Sequence, residues 1–168
     1  GFIDPKPVRE GVGVGPMDPM TLFVGRMSVQ KGPDILVRAI PMILHYYPHA
    51  KFVFVGDGDQ RRACEGLAHQ LRVSHATRFL GQRGGGALIN LFKVCDVVAV
   101  PSRNEPFGIV VLEAWAAGKP VVVSQSGGPA EFVWHDVTGY HVYPHPESIA
   151  WGIGTTFHDF EHARWMGR

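Results

Sequence analysis

Thr21-Leu22-Phe23-Val24-Gly25-Arg26-Met27-Ser28-Val29-Gln30-Lys31-Gly32-Pro33-Asp34-Ile35-Leu36 changes its pattern twice within sixteen residues. Thr21–Val24 is a short apolar run without alternation, the mark of a strand buried on both faces. Gly25–Gly32 is polar and flanked by glycines, which reads as a loop. From Asp34 to Tyr47 the apolar residues Ile35, Leu36, Ala39, Ile40, Ile43 and Leu44 fall on one helical stripe. Strand, loop and helix in that order form the first half of a parallel crossover.

The same alternation continues along the chain. Further strands are expected at Lys51–Val55, Thr77–Leu80, Asp96–Val100, Pro120–Ser124 and Tyr140–Tyr143. Helices are expected at Asp59–Leu71, Ala87–Val94, Gly108–Ala117 and Pro129–Trp134, then at Ser148–Phe157 and Glu161–Met166. Right-handed crossovers then give an α/β fold: a doubly wound, mostly parallel, Rossmann-like sheet of about six strands with helices on both faces. Gly1–Pro19 is rich in turn residues, Gly11-Val12-Gly13-Val14-Gly15-Pro16 among them, and reads as a linker or extended arm.

Composition fits one soluble domain. The 168 residues are 45% apolar and 18% charged, with a formal net charge of +1. No basic stripe points to nucleic acid. No apolar run is long enough for a bilayer span, and no signal peptide opens the sequence. Cys64 and Cys95 stand far apart and read as structural thiols, so a reducing cytoplasm is the expected compartment. His158 and His162 are spaced i,i+4 but have no third ligand, so no metal site is expected.

In an open parallel sheet, ligands bind beyond the carboxyl ends of the strands. The loop Gly25–Gly32 carries Arg26 and Lys31 at such an end, ahead of a helix. Its cations and oriented N–H groups suit a diphosphate, and equally a solvated basic loop. Gly56-Asp57-Gly58-Asp59-Gln60-Arg61 has Arg61 where a dinucleotide fingerprint needs its third glycine; it reads as a tight turn with Asp59 capping a helix. No phosphate-binding P-loop motif occurs. Pro101-Ser102-Arg103-Asn104-Glu105-Pro106-Phe107-Gly108-Ile109-Val110-Val111-Leu112-Glu113-Ala114 places Glu105 in a loop and Glu113 inside the helix that follows. The amides of Phe107, Gly108 and Ile109 lie between. Two carboxylates and free amides could hold a polyhydroxylated anion; a helix-end charge and an ion-pair partner are the plainer alternatives.

The stretch Glu105–Glu113 and its continuation, EPFGIVVLEAWAAGKPVV, resembles the Glu-x7-Glu signature of the retaining glycosyltransferases of the GT-B fold (glycosyl transferases group 1, which include bacterial glycogen synthase). Gly25-Arg26 to Lys31-Gly32 is similar to that family's phosphate loop. Ser126-Gly127-Gly128-Pro129-Ala130-Glu131, Thr138-Gly139-Tyr140 and Gly1-Phe2-Ile3-Asp4 also resemble its C-terminal domain and the turn into it. The resemblance implies a linker from a missing N-terminal acceptor domain at 1–19. It implies a nucleotide-sugar-binding C-terminal domain at 20–168, truncated at its end and inactive alone. As catalytic residues it implies Arg26 and Lys31 on the donor diphosphate and Glu105 on the donor sugar. As donor-binding residues it implies Gly25, Phe107, Gly108 and Ile109, with Glu113 on the ribose. Phe79, Leu80 and Gly81, in the loop ending at Gln82, would lie near the base. The implied donor is a nucleotide-diphosphate sugar, with ADP-glucose or UDP-glucose on the glucan-synthase side of the family, and no metal or cofactor is needed. A sugar-nucleotide epimerase-like domain and a noncatalytic nucleotide-binding module are the alternative expectations.

Overall fold

Strand residues of this chain point alternately into two separate apolar layers. In the computed structural model, which describes residues 3–103, 108–124, 130–134 and 137–166, the elements follow as α1 (Pro5–Gly11), β1 (Met20–Val24), α2 (Pro33–Tyr46), β2 (Lys51–Val55), α3 (Arg61–Gln70), β3 (Thr77–Gly81), α4 (Gly85–Val94), β4 (Val97–Val100), α5 (Ile109–Ala116), β5 (Val121–Ser124), β6 (Ala130–Trp134), β7 (Val137–Val142) and α6 (Pro146–Met166). They build one sheet in the order β3-β2-β1-β4-β5-β7-β6. Six strands are parallel; only the edge strand β6 runs antiparallel, against β7. The doubly wound, mostly parallel expectation therefore holds.

The period-two geometry of a strand explains the continuous apolar runs. Phe23, Phe52, Phe54, Val97, Ala99, Val122, Tyr140 and Val142 face a core shared with α2, α3 and α6. Met20, Leu22, Val53, Val55, Val98, Val121 and Val123 face the opposite core, shared with α4 and α5. Burying an unpaired polar group costs free energy, so both faces are mainly apolar; Thr21 in β1 is an exception, buried with its hydroxyl unpaired.

Three elements differ from the sequence expectation. Ala130–Trp134 is strand β6, not part of a helix. Five residues ending in Phe132-Val133-Trp134 are too few for a stable helix and favour a strand, which pairs with β7. The two helices expected at the end of the chain are one, α6, of 21 residues; Phe157–Glu161 contains neither proline nor glycine, so nothing breaks it.

The third difference lies in the first nineteen residues, which are not an extended arm throughout. Asp4 caps α1, accepting from the Lys6 amide at 3.1 Å, with Pro5 at the helix start where a missing N–H does no harm. The α1 residue Arg9 is only 7% exposed. Its guanidinium donates to the carbonyls of Val94 (3.2 Å), Gly15 (2.8 Å) and Asp18 (2.9 Å) and pairs with Asp96 at 3.1 Å. Asp96 also accepts from the Met20 amide at 2.7 Å. One buried cation thus ties the opening segment to the starts of β1 and β4.

Arg9→Leu should strand these acceptors. We predict a loss of about 3 kcal/mol in urea unfolding, the lower end for breaking a buried pair because Asp96 is partly exposed. A loss below about 0.5 kcal/mol, the level of an ordinary surface change, would show that the opening segment is not part of the folded unit.

Candidate functional site: the carboxyl edge of the sheet

The strand order turns back at β1, which has β2 on one side and β4 on the other. Loops from β1 and β4 therefore leave the sheet in opposite directions and open a crevice, the place where such sheets hold ligands. Two close backbone contacts shape this edge. Gly56, after β2, has φ 137°, and a Cβ there would lie 1.8 Å from the Gly25 carbonyl oxygen. Gly32, before α2, has φ 67°, and a Cβ there would lie 1.9 Å from the Pro101 carbonyl oxygen. Glycine alone fits either position. Hydrogen bonds reinforce the first contact: the Gly25 amide donates to Val55 (3.0 Å), the Met27 amide to Asp57 (3.0 Å), and the Gln60 amide to Met27 (2.8 Å).

A cleft of about 280 Å³ opens beside the first contact, lined by Val24, Gly25, Arg26, Val55, Gly56, Asp57, Gln82 and Arg83. The register between β2 and β3 shifts after Phe54, pairing Val55 with Gly81. This irregularity is the kind that re-aims residues at the rim of a site. Arg26 is exposed in the cleft. Gly25 differs from Gly32: a Cβ there would meet only the Phe23 ring, at 3.8 Å. Internal packing does not require that glycine, and its missing side chain leaves the cleft wall low.

The expected site residues are gathered unevenly. Gly25 and Arg26 line the cleft; Lys31, half-buried in the turn before Gly32, does not. Phe79, Leu80 and Gly81 do not line it either. The Phe79 ring stacks on Phe54 with centroids 4.6 Å apart, and Leu80 packs into the opposite core. Their carbonyls are engaged: Phe79 accepts from Arg61 at 3.2 Å, Leu80 from Arg83, and Gly81 from the Gly56 amide at 2.8 Å. The next residues, Gln82 and Arg83, form that wall instead. Arg83 went unmarked in the sequence; a cation three residues past a strand run was its only signal.

The start of α2 departs from expectation. Pro33 has no N–H to offer, and Asp34 puts a carboxylate in the first turn. This terminus is a poor seat for an anion. The start of α5 is the better one. Gly108 is its N-cap with no side-chain cap, and no acidic residue occupies its first turn. Among the described residues, nothing lies within 4 Å of where a Gly108 Cβ would stand. Ile109 is exposed, Glu113 half-buried, and Val111 and Ala114 are packed into the core. Glu113 lies four residues, about 6 Å, beyond the first helical residue. Glu105 and Phe107 lie outside the described residues, as does Ser126–Pro129.

Asp59 does not cap α3; Gln60 takes that position, without a side-chain hydrogen bond. Asp57 instead holds the turn, accepting from the Gly58 amide (3.0 Å) and from Arg61 (3.1 Å). The thiols of Cys64 and Cys95 are buried and pushed up to about 12 by burial, which makes them unreactive. Among the described residues, no group of three or more His, Cys, Asp or Glu side chains could hold a metal. Among them, too, no helix is long and apolar enough to cross a membrane.

Comparison with known proteins fits this geometry. The family "Glycosyl transferases group 1" matches residues 7–168. The chain belongs to that family. The uncharacterized glycosyltransferase MJ1607 of Methanocaldococcus jannaschii is 50% identical over 153 residues, covering 90% of this chain and 39% of that protein. A D-inositol 3-phosphate glycosyltransferase of Actinosynnema mirum is 40% identical over 149 residues, 83% of this chain and 36% of that protein. Among solved structures, Anabaena HepE in complex with UDP-glucose superposes with a TM-score of 0.79 at 30% identity, over 94% of this chain and 43% of that one. The chain thus spans about two fifths of the length of these relatives.

Electrostatics at this edge offer a test of the packing. Burial alone would raise the Asp34 carboxyl, but hydrogen bonds and the charge of Arg103 outweigh it and hold the group below its ordinary 3.8. A depressed folded value means the pair stabilises the fold above pH 3.8 and that this contribution is lost as pH falls through the lower, folded value. The stability gap between wild type and Asp34→Asn, from denaturant unfolding at a series of pH values, should be full at neutral pH and close in strong acid. A gap that stays constant through pH 2–5 would show that the charge of Asp34 contributes nothing.

Proposed function

We propose that this chain is the donor-binding half of a retaining glycosyltransferase that moves a sugar from a nucleoside diphosphate to a hydroxyl acceptor. The observation that carries the proposal is the cleft at the carboxyl edge, with Arg26 exposed in it and a low wall at Gly25. Family membership and the UDP-glucose complex of HepE support it. So does the share of the relatives that the chain spans, which leaves length for an acceptor-binding domain in the whole enzyme.

In this proposal Arg26 and Lys31 neutralise the diphosphate. Lys31 reaches it by turning its flexible stem, since its backbone lies beyond the cleft lining. Glu105 holds hydroxyls of the sugar, and the amides of Phe107, Gly108 and Ile109 stabilise the leaving phosphate. Glu113 takes the ribose hydroxyls. The base lies toward Gln82 and Arg83. As the glycosidic C–O bond breaks, negative charge grows on the diphosphate, and fixed positive groups stabilise that transition state more than the ground state. The acceptor oxygen attacks from the face the diphosphate leaves, giving retention, and a phosphate oxygen takes its proton. Positive side chains perform the role a metal would fill. An epimerase reading has no support in the family; a noncatalytic binding module is separated from the donor half by whether the sugar adds to affinity.

Calorimetry in EDTA with ADP, UDP, GDP and their glucose conjugates tests this assignment. One nucleoside diphosphate should bind. Arg26→Ala should cost about 1.5–3 kcal/mol of diphosphate binding, the worth of a charge-assisted hydrogen bond. Glu105→Ala should weaken the sugar conjugate and spare the free diphosphate; Glu113→Ala should weaken both. No binding by any of them at millimolar concentration would overturn the proposal. Equal losses for both ligands in both glutamate variants would overturn the division of roles.

A further inference from the structure

Two loops must be held in register for a single ligand to meet both: the β1–α2 loop with Arg26 and Lys31, and the β4–α5 loop leading to Glu105. Arg103 lies in the second and reaches into the first. Its backbone amide donates to the Gln30 carbonyl at 2.8 Å. Its guanidinium donates to the Val29 carbonyl at 2.6 Å and to both carboxylate oxygens of Asp34 at 3.0 and 2.8 Å. The two-pronged geometry fixes angle as well as distance. The pair is half-buried, with side-chain exposures of 33% for Arg103 and 27% for Asp34. Residues 29, 30 and 34 flank Lys31 on both sides, and Arg103 stands two residues before Glu105. The Gly32–Pro101 backbone contact closes the same seam.

We propose that Arg103 and Asp34 form a positioning pair that sets the phosphate loop against the sugar loop; this rests on the donor-site assignment above. Arg103 is then not a phosphate ligand, because its fork is filled by Asp34. The carboxylate is the informative partner. Electrostatics alone would make Asp34 a hindrance, since a negative charge near a diphosphate opposes binding. Removing that charge should therefore tighten binding if Asp34 does nothing else. If it holds Arg103 and the two loops in place, removing it loosens binding despite the charge gained. The sign of the effect separates the two.

The test takes whichever of UDP, ADP and GDP binds the wild-type chain tightest, and the matching nucleoside. Wild type, Asp34→Asn, Arg103→Lys and the double variant are titrated with both. We expect each single variant to weaken the diphosphate roughly tenfold, as for loss of one charge-assisted hydrogen bond. The nucleoside should change far less, and the double variant should be no weaker than the weaker single one, because the two residues act as one pair. Diphosphate binding by Asp34→Asn equal to or tighter than wild type would overturn the inference, as would fully additive losses. Should a variant be unfolded by thermal melting, amide exchange on the wild type decides. The ligand should slow exchange in the Gln30–Asp34 segment and at Arg103 together; slowing in only one loop overturns the inference. A wild type that binds no nucleotide brings down the donor-site assignment and this inference with it; a wild type that binds while its variants match it brings down this inference alone.

Discussion

Everything at the carboxyl edge depends on backbone meeting backbone. The loop after β2 presses on the Gly25 carbonyl through Gly56, and the start of α2 presses on the Pro101 carbonyl through Gly32. A side chain at either glycine would push two strands' loops apart by more than an ångström. Because both glycines also have left-handed or far-positive φ, the contact and the conformation impose the same residue twice. The result is a rim in which loops from β1, β2 and β3 line one cleft and the β4 loop is held against the β1 loop.

Charge is distributed on that rim with some economy. Asp57 pairs with Arg61, and Asp34 with Arg103, so two of the rim's carboxylates serve to fix loops. Arg26 and Arg83 are the cations that line the cleft itself. The acid at the start of α2 and the absence of one at the start of α5 divide the two helix termini by task. One is tied into the scaffold. The other has no side-chain cap and no first-turn acid, so its helix dipole favours an anion.

Much of this was legible in the sequence, for physical reasons that vary by residue. Strands buried on both faces cannot hide, because runs such as Phe52-Val53-Phe54-Val55 have no other stable use. Arg26 could be marked since a cation just past a strand lies where ligands bind. Other features depend on contacts between distant residues. Gly25 and Gly32 look alike as a flanking pair, yet only the fold shows that Pro101 requires one and that packing does not require the other. Arg103 reads as one more charge in a polar loop until Asp34, 69 residues earlier, is brought to 2.8 Å. Arg9 was lost in a turn-rich opening because two of its four acceptors, Val94 and Asp96, lie more than eighty residues away, just before β4. Phe79 was expected by analogy beside the base; the stacking of its ring on Phe54 is a property of neighbouring strands.

The central claim is that one ligand binds across the carboxyl edge and touches the loops of β1, β3 and β4 together. Amide chemical-shift mapping of the chain with UDP-glucose measures this most directly. The account predicts perturbations concentrated at Gly25–Gly32, at Gln82 and Arg83, and from Gly108 to Glu113, with the α2–α6 face quiet. Perturbations confined to the α2–α6 groove around Tyr46 and Trp151, or none at saturating nucleotide sugar, would contradict it.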